Sequence, residues 1–221
     1  MSRRIWLNSS VLILLLFLGC GPKVGIPPKI DLTRYGRVGV ISFRCNAEGN
    51  IDEFLTRRFL LTLRSYQKQA RIIELDSEEA VLQSVEEDKL NPEAIQAIGQ
   101  KYNVDAIFTG NLEITEVRPL FKLYRRGARP ISGQTQIEGK RASADVKVWI
   151  IAMLWETKAG ATIWRVSERG EEMVDQVSVL GNNRVVFDAR GPQEAFRDLI
   201  GPLVRKICED FKIKYQRIEE D

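Results

Sequence analysis

The sequence reads as a single α/β domain, a mixed β-sheet of about five or more strands packed with three to four helices. Three observations predict it. Short apolar runs at 37–43, 71–75 and 104–117 alternate with stretches of helical periodicity. Between 142 and 166, strand follows strand around a tight turn, which places antiparallel neighbours beside the others. About 200 residues follow the N-terminal apolar segment, enough for one well-buried core.

The elements follow in order. Arg37 to Phe43 is a strand, and a loop over 44–50 leads to a helix over 51–69. Ile51, Phe54, Leu55, Phe59 and Tyr66 share one face of that helix, with Arg57, Arg64 and Lys68 off it. Arg71 to Leu75 is a second strand. Asp76 with Glu79 forms a capping box for a helix reaching Val85. Asn91 caps the next helix with Pro92 in its first turn, and this helix buries Ile95, Ile98 and Tyr102. Val104 to Val117 returns to strand.

Beyond Pro119 the segment 118–141 is glycine-containing and basic. It leads into a long strand over 142–155, a turn over 156–161 and a strand over 162–166. A second hairpin is expected over 177–189 around Gly181-Asn182-Asn183. The last helix, 192–213, places Phe196, Ile200, Leu203, Ile207 and Phe211 at helical spacing.

The N-terminus gives an address. Arg3 and Arg4 precede the apolar run Val11 to Leu18, which is too short to span a membrane at about 20 residues but suits a signal peptide over 1–19. Leu16-Phe17-Leu18-Gly19-Cys20 resembles the lipobox of bacterial lipoproteins, in which the cysteine after a small residue is lipidated and becomes the N-terminus. Phe17 stands where that family usually has leucine. Gly21, rather than aspartate, follows the cysteine, which by resemblance to enterobacterial sorting implies the outer membrane and a periplasmic domain. Residues 20–36, with Pro22, Gly25, Pro27 and Pro28, read as a lipidated tether holding the domain (37–213) off the membrane, and 214–221 as a frayed tail.

Charge and composition narrow the function. The chain has 33 Lys+Arg and 30 Asp+Glu; without Arg3 and Arg4 the balance is 31 to 30, a net +1 that draws no nucleic acid. There is no histidine, which removes Ser-His-Asp and Cys-His catalysis and imidazole metal sites. No glycine-rich phosphate loop, HExxH, EF-hand or GxSxG occurs, so neither an enzyme, a cofactor nor a metal is expected. Ser65 and Lys68 match an SxxK spacing, with no SDN or KTG elsewhere. Cys45 and Cys208 can pair in an oxidising compartment, yet each also sits where a small apolar residue is ordinary, and the sequence favours the latter.

The order of these segments, ending in Asn103-Val104-Asp105-Ala106-Ile107-Phe108-Thr109-Gly110, resembles the periplasmic α/β domain of the CsgG family. Lipoprotein activators of penicillin-binding proteins and the N-terminal domain of the Tol-system propeller protein are similar. The turn from Glu156 to Gly160 followed by Trp164 adds to the resemblance, which covers roughly 37–211. It implies a non-catalytic interaction or assembly module for an envelope machine, with an envelope protein as partner and an oligomer as one possible state. The alternative it implies is a subunit of a secretion channel.

Channel strands need about 9–11 residues with one face apolar. The 118–141 segment has charges at both even and odd positions, and the arms at 177–189 are about five residues each. The residues therefore favour the adaptor. Its candidate contact residues are Arg118, Phe121, Lys122, Tyr124, Arg125, Arg126 and Arg129, basic groups interleaved with apolar ones and suited to an acidic protein patch or anionic head groups. The same segment equally reads as a solvated hairpin folded back on the sheet. Trp149, Trp155 and Trp164 read as core or sheet-face residues.

Overall fold

The chain lays its early long strands parallel and its later ones antiparallel, and this switch organises the molecule. The computed structural model describes residues 23–46, 50–115, 118–121, 142–179, 185–187 and 192–217. The strands are β1 (Lys23–Ile26), β2 (Val38–Ser42), β3 (Arg44–Cys45), β4 (Ile72–Ser77), β5 (Ala106–Ile114), β6 (Arg118–Phe121), β7 (Ala142–Glu156), β8 (Ala161–Val179), β9 (Val185–Phe187) and β10 (Lys214–Arg217). The helices are α1 (Ile51–Tyr66), α2 (Glu78–Ser84), α3 (Pro92–Tyr102) and α4 (Pro192–Ile207). The main sheet runs β4-β2-β5-β7-β8-β9, with β3 also on β5 and β6 also on β7. It is the expected mixed sheet of a single α/β domain.

Crossover handedness explains which helix lies where. From β2 the chain moves to one neighbour, β4, through α1, then back past β2 to β5 through α2 and α3. Right-handed connections running in opposite directions across a sheet must use opposite faces. The two buried clusters show that outcome. On one face α1 and α4 bury Leu55, Phe59 and Leu63, and Ile200, Val204 and Ile207, against the even-numbered residues of β7 from Val146 to Leu154. On the other face α2 and α3 bury Val81, Ile95 and Ile98 against Ile41, Leu75 and Ile107. Each fully buried side chain of this size contributes about 1.5–3 kcal/mol.

An aromatic chain crosses the first face. Phe43, Phe59, Phe108 and Phe211 stand with successive ring centroids 5.0, 5.2 and 5.5 Å apart, and Trp164 closes on Phe211 at 4.8 Å. Tilted and edge-on pairs at such distances are the favoured geometry for the ring quadrupole. Gly110 makes room for it: a Cβ there would lie 2.3 Å from Phe43 Cε1 and 2.6 Å from the Ile151 carbonyl oxygen. Gly160 closes the β7–β8 turn with φ +66°, a conformation that glycine adopts without strain.

Local signals hold where they are strong. The Asn91 side chain accepts from Ala94 N–H at 2.6 Å with Pro92 in the first turn, as expected. At α2 the cap is Ser77, which accepts from Ala80 N–H, and not Asp76. The last helix turns to a 3-10 turn over Cys208–Phe211, and Cys45 and Cys208 are not joined to each other.

Two segments differ more. The strand expected over 162–166 extends to Val179, because β7 pairs along it as far as Ala142 opposite Val177. Its polar stretch is accommodated there by ion pairs, Glu168 with Lys206 of α4 (2.5 Å) and Glu171 with Arg169 (2.6 Å).

The free tether expected over 20–36 is not what residues 23–36 form. β1 pairs antiparallel with β10, Lys23 opposite Arg217 through Ile26 opposite Lys214, and Leu32 is fully buried. Buried Gln67 staples this segment. Its Oε1 accepts from Leu32 N–H (3.1 Å), and its Nε2 donates to the carbonyls of Phe211 (2.7 Å) and Ile30 (3.4 Å). Ile30 N–H donates to the Asp210 carbonyl at 3.0 Å. The described part of the frayed tail, 214–217, is the other strand of the same ribbon.

Candidate interaction surfaces

The sheet is covered unevenly, and this creates the first surface. α2 and α3 reach β4, β2 and β5, so Trp155 is half-buried beneath them and donates Nε1–H to Thr109 Oγ1 at 2.9 Å. Farther along, nothing among the described residues lies over the same face of β7 and β8. The register puts Glu113, Trp149 and Arg169 in one row and Asn111, Ile151 and Ser167 in the next. Trp149 is 44% exposed, while Ile151 and Met153 are half-buried beside it. Its indole N–H donates to Ser167 Oγ, which fixes the ring on the sheet. A tryptophan held rigid among aliphatic side chains and arginines matches the residue types that concentrate binding energy at protein interfaces.

Of the sequence-predicted contact residues, Arg118 and Phe121 stand on a strand next to this face. β6 continues the line of β5 along β7, with Ile114 opposite Val148 and Arg118 opposite Asp145, and Phe121 opposite Ala142. Four residues of β7 separate Asp145 from Trp149, about 13 Å of strand. Lys122, Tyr124, Arg125, Arg126 and Arg129 lie outside the described residues, as does Cys20. The exposure of Trp149 is a finding of the structure, and the sequence bears on it only in part. No helical stretch lies between 103 and 191, so the one later helix could cover only one face of the long strands.

The second surface is at the opposite end of the sheet. β5 runs from Ala106, beside the start of β2, to Ile114, roughly 25 Å away. Near the Ala106 end, Asp210 gathers the N-terminal segment: its carboxylate accepts from Trp164 Nε1–H (3.0 Å) and pairs with Lys29 (3.3 Å). The Trp164 hydrogen bond first, and then Lys29 and Lys214, hold the Asp210 carboxyl below the usual range against the opposing effect of burial. Beyond it project the β1–β10 ribbon and a hollow of about 540 Å³ bordered by Tyr66, Lys68, Lys212 and Tyr215. The other shifted acid of the segment, Asp31, is lowered by hydrogen bonds from the Thr33 hydroxyl and N–H.

Among the described residues no three metal-ligating side chains cluster and no helix is long and apolar enough to cross a membrane. The Ser65 hydroxyl of the SxxK spacing donates to the Thr62 carbonyl within α1.

No protein-family model matches the chain, and no curated protein sequence does. Solved structures resemble it remotely. The PelC dodecamer from Paraburkholderia phytofirmans aligns over 88% of this chain and 99% of its own at 13% identity, TM-score 0.42. Lipoprotein GNA1162 from Neisseria meningitidis aligns over 78% and 98% at 12% identity, TM-score 0.38. The LpoB C-terminal domain from Salmonella enterica aligns over 66% and 86% at 11% identity, TM-score 0.34.

Proposed function

We propose that the protein is a lipid-anchored, non-catalytic module of the bacterial envelope, fixed at Cys20 to the periplasmic side of the outer membrane. It positions a partner protein through the end of the sheet remote from the anchor. The observation that carries this reading is the exposed Trp149 on an uncovered sheet face, about 13 Å along β7 from where the basic segment begins. Trp149, Ile151 and Met153 supply apolar contact. Arg118, Lys122, Arg125, Arg126 and Arg129, with Phe121 and Tyr124 among them, supply charge that selects an acidic partner. The CsgG-like reading of the domain belongs to this proposal and rests on the sequence patterns.

Capture from the protein's own envelope, using the detergent-solubilised lipidated form, tests it. Changing Arg125, Arg126 and Arg129 together to glutamate exchanges +3 for −3 and should release the partner. Unchanged capture by the triple variant would remove the basic segment from the interface. The anchor is tested separately: Cys20→Ser should leave an unprocessed precursor.

One observation favours the channel reading. β7 and β8 pair as far as Ala142 and Val177, with register shifts at Ala142/Ser143 and Leu154/Trp155, so strand length no longer argues against it on this side. Lys147, Glu171 and Glu172 on the paired rows argue against lipid exposure. Discrete conductance steps from the full-length protein in a bilayer would decide for the channel.

A further inference from the structure

The β1–β10 ribbon is poorly explained as a part of the fold. A two-stranded ribbon is marginal in water without a face to bury, and this one is exposed on both strands. With Ile213 just before β10, it presents four of the six large apolar side chains exposed among the described residues, Tyr215 (69% exposed) and Ile213 (43%) on one face and Val24 (49%) and Ile26 (42%) on the other. Its outermost row sets Lys23 opposite Arg217, and like charges directly opposite each other destabilise a strand pair. Lys214 follows on β10, and no acid occurs within either strand.

The chain outside the described residues supplies the reason. Only Gly21 and Pro22 separate Lys23 from Cys20, and three Cα steps span at most about 11 Å. Acyl chains on Cys20 therefore bring the Lys23–Arg217 row to within that distance of the lipid surface. We propose that the ribbon is a membrane seat. Tyr215 and Ile213, on the face that also carries Lys23 and Arg217, enter the head-group boundary of the bilayer, and those two cations meet lipid phosphates. Aromatic residues prefer that depth, and phosphates relieve the like-charge row. After Ile218 the sequence continues with Glu219, Glu220 and Asp221, so the apolar side chains carry the seating and the cations orient it. The domain then stands directly on the membrane instead of swinging on a tether.

This inference rests on the anchor of the proposed function, and the test separates the two. The full-length mature lipoprotein is reconstituted in phosphatidylethanolamine/phosphatidylglycerol vesicles as wild type and as Tyr215→Trp. The mass of its N-terminal peptide reports acylation of Cys20. The variant's added emission should shift to shorter wavelength on reconstitution and be lost to lipids brominated near the head group, while the wild-type signal from Trp149, Trp155 and Trp164 changes little. With Cys20 acylated, an added emission that aqueous iodide quenches equally in vesicles and in detergent overturns the seat and leaves the anchor standing. Emission shielded from iodide yet indifferent to brominated lipid also overturns it, in favour of a protein covering the ribbon. An unacylated Cys20 overturns both. A second variant, Ile213→Ser, guards against a local effect of the new tryptophan. It should give faster amide exchange in the ribbon of the vesicle-bound protein, and unchanged exchange counts against the seat.

Discussion

The two ends of the sheet treat the chain in opposite ways. At the Ala106 end, the segment before β2 and the segment after α4 are fastened to each other and to the core by Gln67, Asp210 and Trp164. At the Ile114 end, β7 and β8 pair onward past the helix-covered rows, and one of their faces carries Trp149 without a helix above it. Fastening costs conformational entropy and is repaid only where buried groups interlock. An end held so closely serves position; an end left uncovered serves contact.

The largest effect should come from the core both ends share. Phe108 touches Phe59, Trp164 and Phe211, so Phe108→Ala should lower unfolding stability by about 3–5 kcal/mol in urea titration. A loss below 1 kcal/mol would mean the aromatic chain does not join the ends.

Gln67→Ala should follow, at about 1–3 kcal/mol, because it leaves the buried Leu32 N–H and the Phe211 carbonyl without their partner. Its mark should be local. Hydrogen exchange should quicken over 23–35 and 211–217, with α3 and β5 unchanged. Exchange that quickens evenly would erase the distinction between the ends.

Asp210→Asn should cost about 1–2 kcal/mol at neutral pH and change the acid response. The folded-state pKa of Asp210 is lowered, first by the Trp164 hydrogen bond. Its contribution is therefore complete above the unfolded carboxylate value of about 3.9 and is lost as pH falls through the lower folded value. Stability measured through that acid range should fall less steeply in the asparagine variant. Trp149→Ala should change stability least, within about 0.5 kcal/mol, while partner capture falls.

The parts of this arrangement readable in advance were those with local causes. Asn91 and Pro92 mark a helix start by side-chain chemistry alone, and Gly160 marks a turn by its own backbone. Ser77 and Asp76 are both capping residues, and only the path of β4 decides between them. The polar residues 167–172 hide a strand whose partner, β7, supplies the periodicity they lack. Lys23 and Arg217 meet across nearly the whole sequence, and nothing within either segment announces the other. Of the candidate surface, the basic residues were visible by composition. Trp149 was not, because its exposure follows from which face α4 takes.

The most direct test places a photo-crosslinking phenylalanine at position 149 or at position 215 of the full-length protein in its own cells. Irradiation followed by electrophoresis should yield protein adducts at 149 and none at 215. Protein adducts at 215 with none at 149 would reverse the two ends and contradict the account.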